Sequence, residues 1–319
     1  MYLDTEHYNY LGDTTDGSWE NKEIGLNFFY RPSNRSYIAG QIANRKTGIY
    51  NPGHKEFVLD YLVLGFNIYA GYQNELNLRI GKMKAEQGLY STALDVPANR
   101  DMVLLPQNIY DDYVRNNFYG IRGFDLAWVN HSELGDLEIS FTGGLNVWDE
   151  ENWYYQAIST YEYNYPGWHP TTHNIEIEPI HYGQLRSVYN SSDMKWRLGA
   201  MYRYYEFNNF MDFDSNAGRW TLEEDFHHSH HIILSAERYW DKWTVTGEFQ
   251  KFTRTFEATL TSLDGFGTGF SHSAETFDFW YLQARYYFYQ NWDAFLRYER
   301  TDLSSQNLTL NQNRVFGIG

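Results

Sequence analysis

Residues 280–288 read Trp-Tyr-Leu-Gln-Ala-Arg-Tyr-Tyr-Phe, and residues 196–204 read Trp-Arg-Leu-Gly-Ala-Met-Tyr-Arg-Tyr. In both stretches every second residue is apolar or aromatic. The residues between them are polar or amphipathic in 280–288, and they include Arg197, Met201 and Arg203 in 196–204. Successive side chains of a β-strand point to opposite faces, so each stretch predicts a strand with one apolar and one polar face. An apolar face that ends in aromatic rings, backed by a polar face, is typical of a transmembrane β-barrel.

The composition of the 319-residue chain agrees with this interpretation. Aromatic residues make up 19% of the chain, which argues against disorder. No run approaches the ~18–20 consecutive apolar residues of a membrane-spanning helix, and the mean hydropathy is −0.62. A barrel accounts for both facts because only every second residue of its strands faces lipid. The formal charge of −16 argues against nucleic-acid binding, which requires a basic surface. The chain has no cysteine.

The same alternation recurs along the chain and predicts an all-β antiparallel barrel with about fourteen strands. Short turns alternate with long loops, as they do in bacterial barrels with periplasmic turns and extracellular loops. We expect long loops at 85–119, 149–176, 208–228 and 261–275. The predicted strands lie at 1–10, 19–31, 36–45, 55–70, 75–84, 120–131, 136–148, 177–189, 194–207, 229–239, 243–260, 276–289, 292–301 and 314–319.

The ends of the chain suggest that strands are missing. Met1 is not followed by the basic and apolar regions of a signal peptide, and residues 314–319 resemble the start of a strand. Bacterial barrels have even strand numbers. We therefore expect residues 1–319 to form one barrel domain, incomplete at both ends, from a barrel of sixteen strands. A barrel of that size encloses an aqueous channel.

Four predicted strands give the most specific expectation of which face is which. We expect 194–207, 229–239, 243–260 and 276–289 to be consecutive antiparallel strands. The residues expected to point outward are Leu198, Leu234, Phe249 and Leu282. The residues expected to point inward are Arg203, Glu237, Glu248 and Arg285.

The polar face carries charged residues on many strands. Unpaired charge in a packed core is costly, whereas a water-filled channel accepts it. The alternative is an antiparallel sheet with one face in solvent. The wall residues expected to line a pore are Arg79, Asp125, Glu138, Arg197, Arg203, Glu237, Glu248, Arg285, Arg297 and Glu299.

The connection at 85–119 is unusually apolar for a loop. Loops with this composition are buried rather than solvated, and the lumen is the available interior. We therefore expect this loop to fold into the lumen and narrow the pore, so that its charges set selectivity. The alternative is an external loop packed on its neighbours. The charged residues of the loop are Asp95, Arg100, Asp101, Asp111, Asp112 and Arg115.

One stretch resembles a known family. Residues 79–84 read Arg-Ile-Gly-Lys-Met-Lys, and they are followed by Gly88-Leu89-Tyr90, Asp95-Val96-Pro97 and residues 104–110, Leu-Leu-Pro-Gln-Asn-Ile-Tyr. The stretch is similar to Gram-negative outer-membrane porins of the phosphate-selective-porin-like superfamily. The match covers about 45 residues, and Ala93-Leu94-Asp95 stands where those porins have Thr-Arg-Asp. The resemblance implies a sixteen-stranded trimeric porin that here lacks the start of its first strand and its last two strands.

Other constellations give weaker signals. The run His227-His228-Ser229-His230-His231 could bind a metal, with His228 and His230 on one face of a strand and the other three on the opposite face. A simpler interpretation is a polar junction between a loop and a strand. The acidic runs at 149–151 and 223–225 could hold Ca²⁺ but also suit a solvated loop. No nucleophile elbow, zinc-protease motif or nucleotide-binding loop is present, so we expect no catalytic site, metal or cofactor.

These observations predict a passive outer-membrane channel for small hydrophilic solutes. Because the expected lumen carries both signs and its loop leans acidic, we expect a general or weakly cation-selective pore. The alternatives are a structural or receptor barrel that sheathes or binds a partner and, less favoured, a barrel enzyme. The expected partners are solutes, membrane lipid and lipopolysaccharide, and two further copies of the chain in a homotrimer.

Overall fold

The protein is described here by a computed structural model that covers most of the chain. The described residues form fifteen β-strands in a single sheet, and every neighbouring pair of strands runs antiparallel. No helix among them is long and apolar enough to cross a membrane. The described residues are 2–8, 18–46, 57–90, 105–106, 108–110, 120–146, 171–177, 179–215, 218–264, 268–289, 292–303 and 313–318.

The strands follow the alternating pattern seen in the sequence, and the all-β prediction is confirmed. The first eight are β1 (Tyr2–Tyr8), β2 (Ser18–Ser33), β3 (Ser36–Lys46), β4 (Val58–Ala70), β5 (Asn74–Lys84), β6 (Gly120–Ser132), β7 (Gly135–Asn146) and β8 (Thr171–Ile177). The others are β9 (Ile180–Ser191), β10 (Trp196–Ser215), β11 (Gly218–Trp240), β12 (Trp243–Ser262), β13 (Thr268–Tyr289), β14 (Trp292–Leu303) and β15 (Asn313–Ile318).

Strands adjacent in sequence are neighbours in the sheet, with one exception. β9 pairs with residues 197–206 of β10, and β8 pairs with residues 209–214 of the same strand. Fourteen strands thus follow one another in order from β1 to β15, and β8 lies off that path. The predicted consecutive antiparallel order of the four strands β10 to β13 is confirmed.

Two of the predicted long loops are wrong. Only residues 216–217 separate β10 from β11, and β13 begins at Thr268, so 208–228 and 261–275 are mostly strand. The predicted loop at 149–176 also includes most of β8. The alternation predicts a strand only where an apolar outward face is present. A strand that continues beyond the lipid needs only its backbone hydrogen bonds to the neighbouring strands, and β10 to β13 keep this pairing.

The two faces of the sheet differ as the alternation predicts. Leu282 is 53% exposed and Leu198, Leu234 and Phe249 are also exposed, whereas Arg203 is 1% exposed and Glu237 and Glu248 are buried. The side chain of Arg285, the fourth residue expected inward, is only 11% exposed and forms an ion pair with Asp293 (2.5 Å). The predicted facing is therefore confirmed for this part of the wall.

The outward apolar face has an aromatic border near the short turns. Trp240 and Trp243 flank the β11–β12 turn and are exposed, and the Arg238 guanidinium lies 4.5 Å from the Trp196 ring. The inward face carries many buried polar side chains, among them Gln184 and Asp125. This arrangement, inverted relative to a water-soluble sheet protein, is the fold of a transmembrane β-barrel of the outer membrane.

Candidate functional site

The concave side of the sheet is contacted by part of the β5–β6 connection. We call the described residues 85–90, 105–106 and 108–110 the inner segment. Leu89, Tyr110 and Ile109 of the inner segment are buried in one apolar cluster with inward-facing Met201 of β10 and Ile233 of β11. This apolar contact explains why an unusually hydrophobic sequence occurs between two strands. Residues 91–104 and 111–119 lie outside the described part of the chain.

The contacts of the inner segment require the sheet to curve. Glu86 pairs with Arg79 of β5, and the adjacent Gln87 donates to Gln250 of β12 (3.3 Å). Six strand spacings separate β5 from β12, about 29 Å on a flat sheet. Because Glu86 and Gln87 are adjacent, their Cα atoms are only ~3.8 Å apart, and on a flat sheet they could not reach β5 and β12 at the same time. The wall therefore curves around the inner segment.

On one side, the inner segment is held by two buried carboxylates. The Tyr90 hydroxyl and the Thr246 hydroxyl both donate to Glu237. The Leu89 backbone N–H donates to Glu248 (2.9 Å), which also accepts the Tyr281 hydroxyl (2.8 Å). Buried carboxylates are costly unless donors satisfy them, so these contacts tie the inner segment to β11, β12 and β13.

On the opposite side, the inner segment meets arginines. The two carboxylate oxygens of Glu86 contact different arginines, Arg79 at 3.3 Å and Arg186 at 2.6 Å. Burial raises the pKa of the Glu86 carboxyl, but the Arg186 and Arg79 guanidiniums outweigh burial and hold it below its ordinary value. Glu86 is therefore ionised at neutral pH.

Arg203 connects the inner segment to the middle of the wall. Its Nη1 donates to Gln87 (3.0 Å) and its Nε donates to Gln184 of β9 (3.1 Å). Gln184 in turn donates to the Glu86 carbonyl (2.9 Å). The N–H groups of the buried guanidinium therefore find acceptors on both the wall and the inner segment. These hydrogen bonds fix the position of the inner segment relative to the wall.

The far end of the inner segment reaches β14. The Asn108 backbone N–H donates to Glu299 (3.3 Å), and its side-chain amide donates to the Trp280 carbonyl (2.8 Å). Glu299 also pairs with Arg297 at 2.7 Å. Arg–carboxylate pairs thus occur on both sides of the inner segment.

Two glycines allow the inner segment to lie this close to the wall. Gly88 has a φ of +55°, and a Cβ there would lie 2.2 Å from the Tyr110 hydroxyl and 2.5 Å from Glu248. On β10, a Cβ at Gly199 would lie 3.1 Å from Leu89. Larger residues at either position would push the inner segment away from the strands.

The residues predicted to line a pore separate into three groups. Around the inner segment the structure brings together Arg79, Asp125, Glu138, Arg203, Glu237, Glu248, Arg297 and Glu299. Arg285 pairs with Asp293 and Arg197 is half-buried on the inward face of β10. Asp95, Arg100, Asp101, Asp111, Asp112 and Arg115 lie outside the described residues.

Sequence reasoning missed several residues of this site. Arg186 shares the inward parity of Tyr182 and Gln184 on β9, and that parity could have identified it. Glu86 and Gln87 follow the end of β5 and belong to no repeating pattern. Apart from the contact between Glu86 and Arg79, they contact strands more than 90 residues away in sequence, which no local signal reveals.

The histidine run is not arranged as predicted. A β-bulge interrupts the β11–β12 register between His227 and His230, and His228 has a φ of +50°. His227 is half-buried and lies beside His228, with ring centroids 6.2 Å apart, whereas Ser229 is fully buried. The prediction that His227 shares a face with Ser229 and His231 is therefore wrong. Among the described residues, no group of three or more His, Asp or Glu could hold a metal ion.

The solved structures to which the chain is similar include outer-membrane proteins of Vibrio cholerae. A loop L8 deletion mutant of OmpT from Vibrio cholerae is 13% identical, with coverage of 95% of this chain and 90% of that one and a TM-score of 0.40. OmpT in its trimer form is 10% identical, with coverage of 99% and 92% and a TM-score of 0.36. OccK1 (OpdK) of Pseudomonas aeruginosa is 11% identical, with coverage of 95% and 91% and a TM-score of 0.32.

No model of a protein family and no curated protein matches the sequence. The resemblance to the phosphate-selective-porin-like superfamily therefore stays a prediction.

Proposed function

We propose that this chain is an outer-membrane porin, a passive diffusion channel for small hydrophilic solutes with weak or no preference for cations. The observation that carries the proposal is the inner segment itself. It lies against the concave side of the sheet, between two buried carboxylates on one side and the arginines that hold Glu86 on the other. A segment held in this way narrows the space inside the wall and gives that space its charges.

The charge pattern supports weak selectivity. Arginines and carboxylates on the described inner face largely neutralise each other in pairs, such as Arg79–Asp125 (2.9 Å) and Arg285–Asp293 (2.5 Å). A strongly selective pore presents a ring of one sign. The formal charge of −16 on the whole chain and the acids of the 85–119 connection tilt the expected preference toward cations.

The resemblance at residues 79–110 belongs to the same proposal. It supports a porin of the phosphate-selective-porin-like superfamily that assembles as a homotrimer in contact with lipid and lipopolysaccharide. The near balance of charges on the described inner face favours a general pore over a phosphate channel. We also propose that the chain is not an enzyme, because the contacts of the inner segment tie it to the wall rather than position a nucleophile beside a base.

Planar bilayer recordings test the proposal. We expect the purified protein to conduct ions, to close in three equal steps if it is a trimer, and to show a small cation-favouring reversal potential in a KCl gradient. A folded protein that conducts no current would support the alternative, a structural or receptor barrel. Strong anion preference, or block of chloride current by micromolar phosphate, would contradict the proposed selectivity.

A further inference from the structure

The Glu86 carboxylate occupies the position that a bound anion would take. Its Oε1 contacts Arg79 Nη2 at 3.3 Å, and its Oε2 contacts Arg186 Nη1 at 2.6 Å. Charge-assisted hydrogen bonds from guanidiniums to both oxygens are the usual way in which proteins recognise a carboxylate ligand. Here the carboxylate belongs to the protein's own inner segment.

The two arginines are held in place by groups other than Glu86. The Arg79 Nε donates to Asp125 (3.0 Å), and Asp125 accepts a further hydrogen bond from Thr142 (2.8 Å). Arg186 pairs with Glu138 at 3.3 Å and also donates to the Gly88 carbonyl (3.5 Å). Both guanidiniums therefore have anchors on the wall or inner-segment backbone that remain if the Glu86 side chain is removed.

The charge balance around Arg79 and Arg186 depends on the Glu86 carboxylate. Arg79, Arg186, Arg203 and the more distant Arg197 contribute four positive charges around Glu86, and Glu86, Asp125 and Glu138 contribute three negative charges. Loss of the Glu86 carboxylate would leave a positive excess beside two fixed guanidiniums. Such an excess attracts anions.

The place is open to small solutes. The side chains of Arg79 and Glu86 are 31% and 20% exposed, while that of Arg186 is 6% exposed. A ligand could therefore approach from the Arg79 side and meet Arg186 at the back. Small carboxylates such as acetate or formate match the size of the group that is already there.

We infer that Arg79 and Arg186 form a binding site for carboxylate anions, and that Glu86 fills this site as a built-in counterion. Glu86 is then the residue that closes the site to anionic solutes and keeps the inner face from preferring them. This inference deepens the proposed porin function and rests on it for its consequence for transport. The binding site itself stands on the geometry of the two arginines.

Replacement of Glu86 by alanine should create a site for acetate. Titration of the detergent-solubilised variant with acetate by calorimetry should show saturable binding, and wild type should show none. Asp293→Ala is the matched control, because it removes a carboxylate from an ion pair with a single arginine, Arg285. That control should not bind acetate, and neither should the double variant Glu86→Ala/Arg186→Gln. Acetate binding to Glu86→Ala no stronger than to Asp293→Ala would overturn the inference.

Glu86→Gln provides a second measurement if the alanine variant does not fold. Glutamine keeps the size of the side chain and removes only its charge. From Coulomb's law in water at a separation of ~6 Å, loss of the negative charge should favour chloride about threefold and disfavour potassium about threefold, so we expect the ratio of chloride to potassium permeability to rise by up to about tenfold. An unchanged ratio in a conducting channel would count against the inference. Absence of current in wild type would instead defeat the porin proposal, and the calorimetry would still decide whether the site exists.

Discussion

At the scale of single residues, the face of the sheet to which a side chain points determines how much an added charge destabilises the barrel. Leu126 and Ala127 are neighbours on β6, but Leu126 is exposed on the outward face and Ala127 has the inward parity of buried Asp125. Ala127 pairs across the sheet with Asn77 and Ser140, which are polar. The two positions therefore test lipid and lumen environments at almost the same depth.

We expect Leu126→Arg to destabilise the barrel by roughly 2–4 kcal/mol, because a charge at the lipid midplane loses its hydration. Ala127→Arg should cost much less, since the added guanidinium can remain in water and reach polar neighbours. Denaturant titrations of both variants refolded into lipid vesicles measure the difference. Equal costs at the two positions would show that the outward face is not in contact with lipid.

At the scale of elements, the inner segment depends on a close approach at Gly88. The left-handed φ of +55° opposes a side chain there, and so does the Tyr110 hydroxyl, which would lie 2.2 Å from an added Cβ. Gly183 on β9 offers a matched control, because nothing lies within 4 Å of a Cβ at that position. Both substitutions add one methyl group to the same chain.

Gly88→Ala should weaken the docking of the inner segment by roughly 1–3 kcal/mol through overpacking, while the strands stay folded. Hydrogen–deuterium exchange should therefore become faster at residues 85–90 and remain unchanged in β10 to β13. Gly183→Ala should exchange like wild type. Unchanged exchange at 85–90 in Gly88→Ala would show that the segment is not held against the wall at this point.

The sequence predicted elements best where lipid dictates the pattern. Strands such as β12 and the facing of Leu282 and Arg203 follow from the alternation, because a one-residue slip would bury charge in lipid. The extensions of β10 and β11 beyond the predicted ends were missed. There, the inward face carries apolar side chains, with Phe207 and Met211 buried in one cluster, so the pattern of apolar outward and polar inward residues does not continue.

The bulge and the inner segment mark two further limits. At His227–His230 an extra residue shifts the parity of β11, and alternation counted through such a point assigns His227 to the wrong face. The apolar character of the 85–119 connection did indicate burial for its described residues, such as Leu89 and Ile109. The pairing of Glu86 with Arg186 could not be predicted, since it joins the end of β5 to β9, which lies three strand spacings away in the sheet.

At the scale of the whole molecule, the composition resembles that of a water-soluble protein, whereas the outward surface is apolar. The mean hydropathy of −0.62 and the net charge of −16 resemble those of a water-soluble protein. Yet exposed side chains on the outward face include Leu64, Leu198, Leu234 and Leu282, and continuous apolar patches of this kind are rare on soluble monomers. The polar residues that lower the hydropathy lie mainly on the inner face and beyond the apolar belt.

We therefore expect the folded chain to require an apolar medium around the belt. In detergent micelles or lipid vesicles, circular dichroism should show a β-sheet spectrum, and the unheated protein should migrate differently from the boiled protein on gels. Dilution below the critical micelle concentration should cause aggregation, because the exposed belt residues would then face water. Transfer to lipid vesicles instead of buffer is the control and should preserve the spectrum. A folded, monodisperse protein in buffer without detergent would contradict the membrane assignment and favour a sheet with one solvated face.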